Sequence, residues 1–592
     1  MQTKKAAAAE RLSALRRELQ SRGIDAVIVP TADPHLSEYV PDHWKQREAL
    51  TGFAGSAGTL YAGRTAAAME TDSRYWEQAS AELIDGIELL RWTPEHRSVG
   101  MDWLAAHLRA GAKVLADPAV MSVENAEALE SALAAMGFEL VLEPIDWTTI
   151  WTDRPAVPAS KIRSLRHLGE PTAERLARIR RYVAQIDASA TLLTALDDVA
   201  WATNLRGADV PNNPVFLSNL LITADDAVLF VDAARLDESA AEALAAAGIR
   251  TAPPSALAQE VRSTAAAGLV AVDPSHAPMS VLEVLDAERV LWQTPGPVAD
   301  MKQRKTPAEI EGFRAAHLRD AVALAEFYAE LDEALAAGRE LTESDVVAML
   351  GAKRREQKEF IEESFPTIAA FGPNAALPHY QPPETGGARL ADGLLLIDSG
   401  GQYECGTTDV TRMTAVGEVT PAARHDATIV TRAMLRLMTM RFPENLGCDR
   451  LDAAARMGLW AEGLDFGHGT GHGVGYVLNV HEGPVRISPM VRTPMPVGAV
   501  VSDEPGVYRP GVSGVRVENL LACVPAGQTP FGRFLAFEPL TLCPIDVRTL
   551  EEPFGEMRDE LNAFNAMCAA ALEPLVSERA RAWLRRAARP IR

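Results

Sequence analysis

The sequence predicts an α/β (α+β) protein built as two small α/β domains followed by a larger C-terminal domain. Three observations predict it. At 592 residues the chain exceeds what one hydrophobic core serves, so about three domains of roughly 100–250 residues are expected. A helix-and-strand segment followed by strand, turn, strand occurs twice before Thr306. Beyond Thr306 the texture changes to long helices and then to a stretch dense in Gly, His, Asp and Glu.

Each element follows from local pattern. The opening MQTKKAAAAERLSALRRELQ puts Leu12, Leu15 and Leu19 on one helical face and stops at Gly23, a residue suited to the left-handed turn after a helix. Residues 24–29 read as a buried strand ended by Pro30. GTLYAGRTAAAMETD reads as strand, turn, strand, with a helix beginning near Ser73. The same unit recurs as SNLLITADDAVLFVD, with its turn at 224–226. The segments RGIDAVIVPTADP and LDDVAWATNLRGAD precede the two units, so a weak internal repeat is predicted. The Pro-containing stretch 151–160 closes the first domain, residues 1–150, and PGPVADMKQRKTPAE closes the second, 151–303. Thr306 before Pro307 marks a helix start in the third domain, 304–592. Helices over 308–337 and 343–358 open it, the Gly- and His-rich region runs over 364–521, and the tail ends in basic helices.

Composition removes several function classes. Apolar residues are 47 % and charged residues 23 % of the chain, the profile of a globular enzyme. Against 58 Lys and Arg stand 80 Asp and Glu, a net charge of −22. Such a chain has no long-range attraction for phosphate, so nucleic acid and anionic membrane are not expected partners. Five Cys, at 405, 448, 523, 543 and 568, form no C-x-x-C pair, which argues against a disulfide scaffold and against a thiolate zinc site. The N-terminus is charged at once and builds no signal-peptide core. No run approaches the roughly 18 apolar residues of a membrane span, and a cytoplasmic location is expected.

Four segments of the third domain hold carboxylates and imidazoles. In LLLIDSGGQYECGTTDVTR an apolar strand delivers Asp398, a Gly400–Gly401 turn follows, and a second strand carries Asp409, so a hairpin brings the two acids together. FGHGTGHGVG holds His468 and His472, and VVSDEPGVY ends an apolar strand in Glu504. In GVRVENLLACV, period-two alternation puts Arg516 and Glu518 on one face and Val515 and Val517 on the other. Each has an ordinary reading: an Asp after a strand forms turns, a loop His bonds locally, and Arg516 beside Glu518 is a strand-face ion pair. The spacing of His468 and His472 mimics a helical zinc pair. The glycines around them forbid that helix, and no Glu follows His468. Together, four carboxylates and one imidazole make a hard, oxygen-rich set suited to two divalent metals, with Mn²⁺ favoured over thiolate-zinc chemistry. Four negative ligands balance two such cations and leave a bridging water to ionise near neutral pH.

The chain resembles the Xaa-Pro aminopeptidases (aminopeptidase P) of the long, three-domain cytosolic type, within the pita-bread metallopeptidases. The resemblance runs over almost the whole length: TADPHLSEYVPDHW, LTGFAGSAG and TDSRYWEQA in the first domain, AWATNLRGADVPNNPVF in the second, and FPTIAAFGPNAALPHY, IDSGGQY, GTTDVTR, GHGTGHGVG, NVHEGP, DEPGVY and GVRVEN in the third. It implies two creatinase-like N-terminal domains and a pita-bread catalytic domain with a C-terminal extension.

The resemblance also implies roles. Asp398 binds one metal, Asp409 and Glu518 bridge both, and His472 and Glu504 hold the second. Glu504 also moves the proton of the bridging water. His379 and His481 match imidazoles that steady the substrate carbonyl and oxyanion, and His468 matches a third that lines the site. Tyr508 and Arg516 match positions supporting site and substrate, and Arg74 an arginine reaching into the neighbouring site of a homodimer. Departures from the family pattern are Gly401 for Ala, Cys405 before the GTTD segment, Met413 for Thr, and Val507 for an aromatic. The implied reaction releases the first residue of peptides whose second residue is proline, by a bridging hydroxide on a dinuclear centre carrying Mn²⁺, with Co²⁺ or Zn²⁺ as alternatives. Two other readings share the fold. A prolidase would cleave only dipeptides and is disfavoured by the signatures in both N-terminal domains. A non-catalytic pita-bread binding protein would be expected to lose ligands that this chain keeps.

Overall fold

The structure, a computed structural model, describes residues 2–93 and 95–592. These form two compact units, one comprising residues up to Ser164 with Pro171–Pro211 and Val215–Val298, the other Leu165–Glu170, Asn212–Pro214 and Ala299–Arg592. No helix among the described residues is long and apolar enough to cross a membrane.

The first unit holds two six-stranded sheets of the same design. In one the order is Ile87–Arg91, Ala67–Thr71, Thr59–Gly63, Ala26–Pro30, Lys113–Ala116, Glu139–Leu142. In the other it is Arg250–Ala252, Ala227–Phe230, Asn219–Thr223, Ala190–Leu193, Val270–Val272, Val290–Trp292. Both run parallel, antiparallel, antiparallel, parallel, parallel across the sheet. The helix Gln2–Ser21 buries Leu12, Leu15 and Leu19 against the first sheet's Val27, Val29 and Leu60, and Gly23 follows it at φ 68°.

Local expectations meet three corrections here. The helix expected near Ser73 spans Trp76–Glu82, because Asp72 accepts from the backbone N–H of Arg74 and ion-pairs with its guanidinium, holding 72–75 as a turn. The strand that pairs with Asn219–Thr223 is Ala190–Leu193, whereas the LDDVAWATNLRGAD segment forms the helix Leu196–Thr203 and a two-residue strand in a separate sheet. A four-residue apolar run has no period by which to tell strand from helix. Within the expected linker 295–304, Ala299–Gln303 is a short helix.

The second unit opens where expected. Thr306 caps the helix Pro307–Ala336 with a capping box closed by Glu309, two backbone donors satisfied reciprocally. A three-stranded antiparallel sheet, Ile368–Phe371, Gly393–Ser399, Val410–Val416, lies between two cores. Leu394 and Leu396 face one with Met434 and Met438, while Leu395 and Ile397 face the other with Phe327 and Leu331. That alternation fixes where Asp398 points: with the even residues, onto the first face. A six-stranded sheet follows in the order Arg441–Pro443, Gly532–Pro539, Asn519–Thr529, Val500–Asp503, Gly471–Gly473, Glu482–Ile487. The GVRVENLLACV segment, expected as one strand, is two: Ser513–Arg516 pairs with Gly506–Arg509, and Asn519–Thr529 joins the large sheet. The break falls at Val517–Glu518 because the Glu518 N–H bonds the Thr411 carbonyl of the other sheet, 3.1 Å away.

Candidate metal centre

Two sheets and one hairpin converge on a knot of acids. Asp398 stands opposite Thr411 in the antiparallel register, and Asp409 lies two residues before Thr411, hence on the same face. Between them the chain turns at Gly400, where a Cβ would lie 1.9 Å from the Thr408 carbonyl oxygen, so only glycine fits. His472 comes from the strand Gly471–Gly473. There a Cβ on Gly471 would lie 1.9 Å from the Ser502 carbonyl oxygen, and one on Gly473 2.3 Å from that of Glu482. The glycine density around this histidine is thus close backbone approach. Glu504 follows the strand Val500–Asp503.

Distances define the cluster. Single ligating atoms of Asp409, His472 and Glu518 all lie within 4.8 Å of one another. His472 Nε2 is 3.5 Å from Asp409 Oδ2 and 3.5 Å from Glu504 Oε1. Its Nδ1 faces the Gly473 carbonyl at 3.0 Å, which puts the proton on Nδ1 and leaves the Nε2 lone pair toward the acids. Glu518 Oε2 accepts from Thr411 Oγ1 at 2.8 Å, and Glu504 Oε1 from Ser502 Oγ at 3.2 Å. Asp398 Oδ2 accepts from Arg516 Nη2 at 2.5 Å.

Electrostatics set the demand for cations. Asp398, Asp409 and Glu518 are buried, and Asp398 Oδ1 and Asp409 Oδ1 have no hydrogen-bond partner among the described residues. Burial, followed by the charges of Asp398 and Glu504, pushes the Asp409 carboxyl far above its ordinary range. Glu518 is raised by burial and then by Asp409, Asp398 and Glu504. Asp398 is raised by burial, against the opposing pull of Arg516. Buried, mutually repelling carboxylates with unsatisfied oxygens are a set that divalent cations complete, and the donor chemistry of four carboxylates and an imidazole fits such ions.

The remaining expected site residues fall into two groups. His481 packs edge-on against His472, ring centroids 4.3 Å apart, and His379 lies in the turn after Gly372–Ala376, next to Pro378, whose carbonyl accepts from Arg516 Nη2 at 3.2 Å. His468 is bonded through both nitrogens: Nδ1 to the Gly469 carbonyl and Nε2 to the Tyr508 hydroxyl, each at 2.8 Å. Arg516 Nη1 donates to the same hydroxyl at 2.9 Å, so the Tyr508 proton points to His468. Burial lowers the His468 pKa to about 4 and raises Tyr508 to about 12; the imidazole is a neutral acceptor. Arg74 belongs to the other unit, where it ion-pairs with Asp72 at 2.8 Å.

Sequence reading passed over Thr411, Ser502 and Arg412. Arg412 holds the Glu518 carbonyl at 2.5 Å and Asn519 Oδ1 at 2.7 Å. Thr411 carries a readable signal, its period-two spacing from Asp409; Glu518 and Asn519, which Arg412 holds, lie more than 100 residues away and leave none. Two unusual residues have local reasons. A Cβ on Gly401 would lie 2.9 Å from the Tyr403 ring. Cys405 is buried against Arg319, its Sγ 2.9 Å from Nη1, and burial holds its thiol up at about 11, far from thiolate reactivity.

The chain is similar to known proteins over almost its whole length. Residues 311–525 match metallopeptidase family M24 and 533–591 the C-terminal region of peptidase M24. Residues 11–147 and 153–309 match creatinase/prolidase N-terminal domains. The chain is 35 % identical to aminopeptidase P2 of Arabidopsis thaliana, over 98 % of this chain and 88 % of that protein. It is 35 % identical to a probable Xaa-Pro aminopeptidase P of Sordaria macrospora, over 94 % of each. An X-prolyl aminopeptidase from Caenorhabditis elegans, a cytosolic enzyme with a di-nuclear active site, superposes with a TM-score of 0.93 at 30 % identity, covering 99 % of this chain and 100 % of that one. An Xaa-Pro dipeptidase from Bacillus anthracis superposes with a TM-score of 0.51 at 25 % identity, covering 63 % of this chain and 98 % of that one.

Proposed function

The chain belongs to metallopeptidase family M24, with creatinase-type N-terminal domains, and from that membership we propose a metal-dependent aminopeptidase that releases the first residue of peptides with proline second. The observation that carries the reading is the meeting of Asp409, His472, Glu504 and Glu518, with the buried Asp398 charge acting on Asp409 and Glu504, and with Asp398 Oδ1 and Asp409 Oδ1 without a hydrogen-bond partner among the described residues. The prolidase alternative is not favoured, since the dipeptidase likeness covers 63 % of this chain where the X-prolyl aminopeptidase covers 99 %.

Those five side chains would hold two divalent cations, which would supply Lewis acidity toward the scissile carbonyl and lower the pKa of coordinated water. In this reading Asp409 and Glu518 would serve both cations, Asp398 would serve one, and His472 and Glu504 would serve the other. Glu504 takes the proton of the attacking water and passes it to the departing prolyl nitrogen. His379 and His481 donate hydrogen bonds where the carbonyl oxygen turns negative, each worth about 3 kcal/mol when well placed. The prolyl nitrogen has no N–H to grip, so selectivity rests on the shape of the pocket for its ring. His468 supports the substrate side through Tyr508 and Arg516. The proposal extends to Mn²⁺ as the metal, ahead of Co²⁺ or Zn²⁺, to a cytoplasmic homodimer, and to Arg74 as a substrate contact across that dimer. The domain limits 1–150, 151–303 and 304–592 are part of it.

Elemental analysis of the purified protein, with cleavage of Arg-Pro-Pro in the presence and absence of chelator, tests the reading. Two metal equivalents and chelator-sensitive release of Arg are expected. Metal-independent cleavage, or action on Xaa-Pro dipeptides alone, would overturn it.

A further inference from the structure

The loop that carries His468 and leads to His472 is strapped to the helix Cys448–Trp460 by two of that helix's residues, one turn apart. Asp452 and Arg456 form a buried ion pair, Nε to Oδ2 at 2.8 Å. The rest of the guanidinium is spent on the loop. Nη1 donates to Asp465 Oδ1 at 2.6 Å and to the Phe466 carbonyl at 2.7 Å, and Nη2 to the His468 carbonyl at 2.6 Å. The guanidinium also lies 3.7 Å from the centre of the Phe466 ring. The second oxygen of Asp452 accepts from the Thr470 hydroxyl at 2.7 Å and its N–H at 3.3 Å.

Thr470 is where the strap meets the acids. Its carbonyl accepts the Glu504 N–H at 2.8 Å. Two residues on, the His472 N–H donates to Ser502 Oγ at 2.9 Å, and that hydroxyl donates to Glu504 Oε1. One ion pair on one helix thus fixes, through the backbone of 466–470, the placement of both His472 and Glu504. Four acceptors in a planar fan suit a guanidinium and not an ammonium, which is a point donor. An ion pair kept out of water is poor value as glue alone, because apolar residues of similar volume stabilise as well.

We propose that Asp452, Arg456 and Thr470 are positioning residues that set His472 and Glu504 at metal-binding separation. The proposal rests on the metallopeptidase reading above. Two variants test it, Thr470→Val, which removes only the strap's hydroxyl, and Arg456→Lys, which keeps the charge and loses the fan. Mn²⁺ is titrated calorimetrically into the metal-free full-length protein, and kcat, KM and thermal midpoint are measured with saturating Mn²⁺. Both variants should bind the Mn²⁺ assigned to His472 and Glu504 about tenfold less tightly and lose kcat by about the same factor at nearly constant KM, as for other outer supports of metal ligands. Arg456→Lys should show the larger loss. Folded variants with wild-type Mn²⁺ affinity and kcat overturn the proposal, and so does a lowered thermal midpoint with both quantities retained, since that makes the strap a stability device. If Arg456→Lys does not fold, Thr470→Val decides. Wild-type protein that takes up none of Mn²⁺, Co²⁺ and Zn²⁺ fails the metallopeptidase reading itself, whereas two-site wild type beside unchanged variants fails the strap alone.

Discussion

Two antiparallel strand pairs in this molecule start from similar sequence and end in opposite electrostatic states. Asn219–Thr223 with Ala227–Phe230, in the N-terminal unit, carries NLLIT opposite AVLF, and its turn is closed by the Thr223 N–H on the Asp226 carbonyl. Gly393–Ser399 with Val410–Val416, in the catalytic unit, carries GLLLIDS opposite VTRMTAV. Both are buried. The first fills its faces with Leu, Ile, Val and Phe, whose burial is favourable by about 1.5–3 kcal/mol per side chain. The second ends its apolar run in Asp398, faces it with Thr411, and brings Asp409 beside it. Apolar strands thus serve as core in one place and, in the other, as the rigid carrier of buried acids. Rigidity matters because a ligand set must be held close to its working geometry.

The contrast can be broken most severely at a bridge. Glu518→Ala should lose metal and lower kcat/KM by about 10³-fold or more, since Lewis acidity worth several kcal/mol goes with it; metal analysis beside the peptide assay checks this, and undiminished metal would remove its assigned role. His481→Ala should lower kcat by about 10²–10³-fold, the loss seen for one oxyanion donor, while metal content stays at the wild-type value. On the N-terminal pair, Leu221→Ala, at a position 1 % exposed, should cost about 2–5 kcal/mol of stability in denaturant unfolding. Metal stoichiometry and kcat per folded molecule should not change.

The subtlest difference is in pH. Burial raises Asp398, Asp409 and Glu518 in the metal-free fold, so the folded state holds their protons more tightly than the unfolded chain. Their contribution is complete below the ordinary carboxylate range and is lost as pH rises through the raised values. Metal-free protein should therefore melt higher as pH falls from about 8 toward about 6, and metal-loaded protein lower, as protons compete for the ligands. Glu518→Gln should flatten the metal-free slope and stabilise that form at about pH 8 by about 1–3 kcal/mol, the cost of an unsatisfied buried group. The wild-type minus variant difference separates this from His425, which Glu462 raises and which titrates with the same sign.

Much of the architecture is legible in the order of the residues. The helix start at Thr306 and Pro307 follows from capping chemistry confined to four residues. The two N-terminal hairpins, 59–71 and 219–230, follow from apolar runs around polar turns. Short runs defeat the same rules: Ala190–Leu193 is a central strand too brief to show a period, and Ala299–Gln303 is a helix inside what reads as linker. At the site, the residue types are legible and their surroundings are not. His468 reads as a site-lining imidazole, yet both its nitrogens are occupied, by Gly469 and by Tyr508 forty residues on.

The amino-acid order by itself therefore determined the family and offered the candidate acids and imidazoles, because each of these motifs is written within a few neighbouring residues. Only the tertiary structure decided that Glu518 leaves one strand to reach Thr411, that the proton of His472 sits on Nδ1, and that Asp452 and Arg456 reach the loop of His468. The physical reason is distance along the chain. Hydrogen bonds across more than 100 residues, such as Arg516 to Asp398, and the burial that shifts a carboxylate's proton affinity exist only once packing has expelled the water between them.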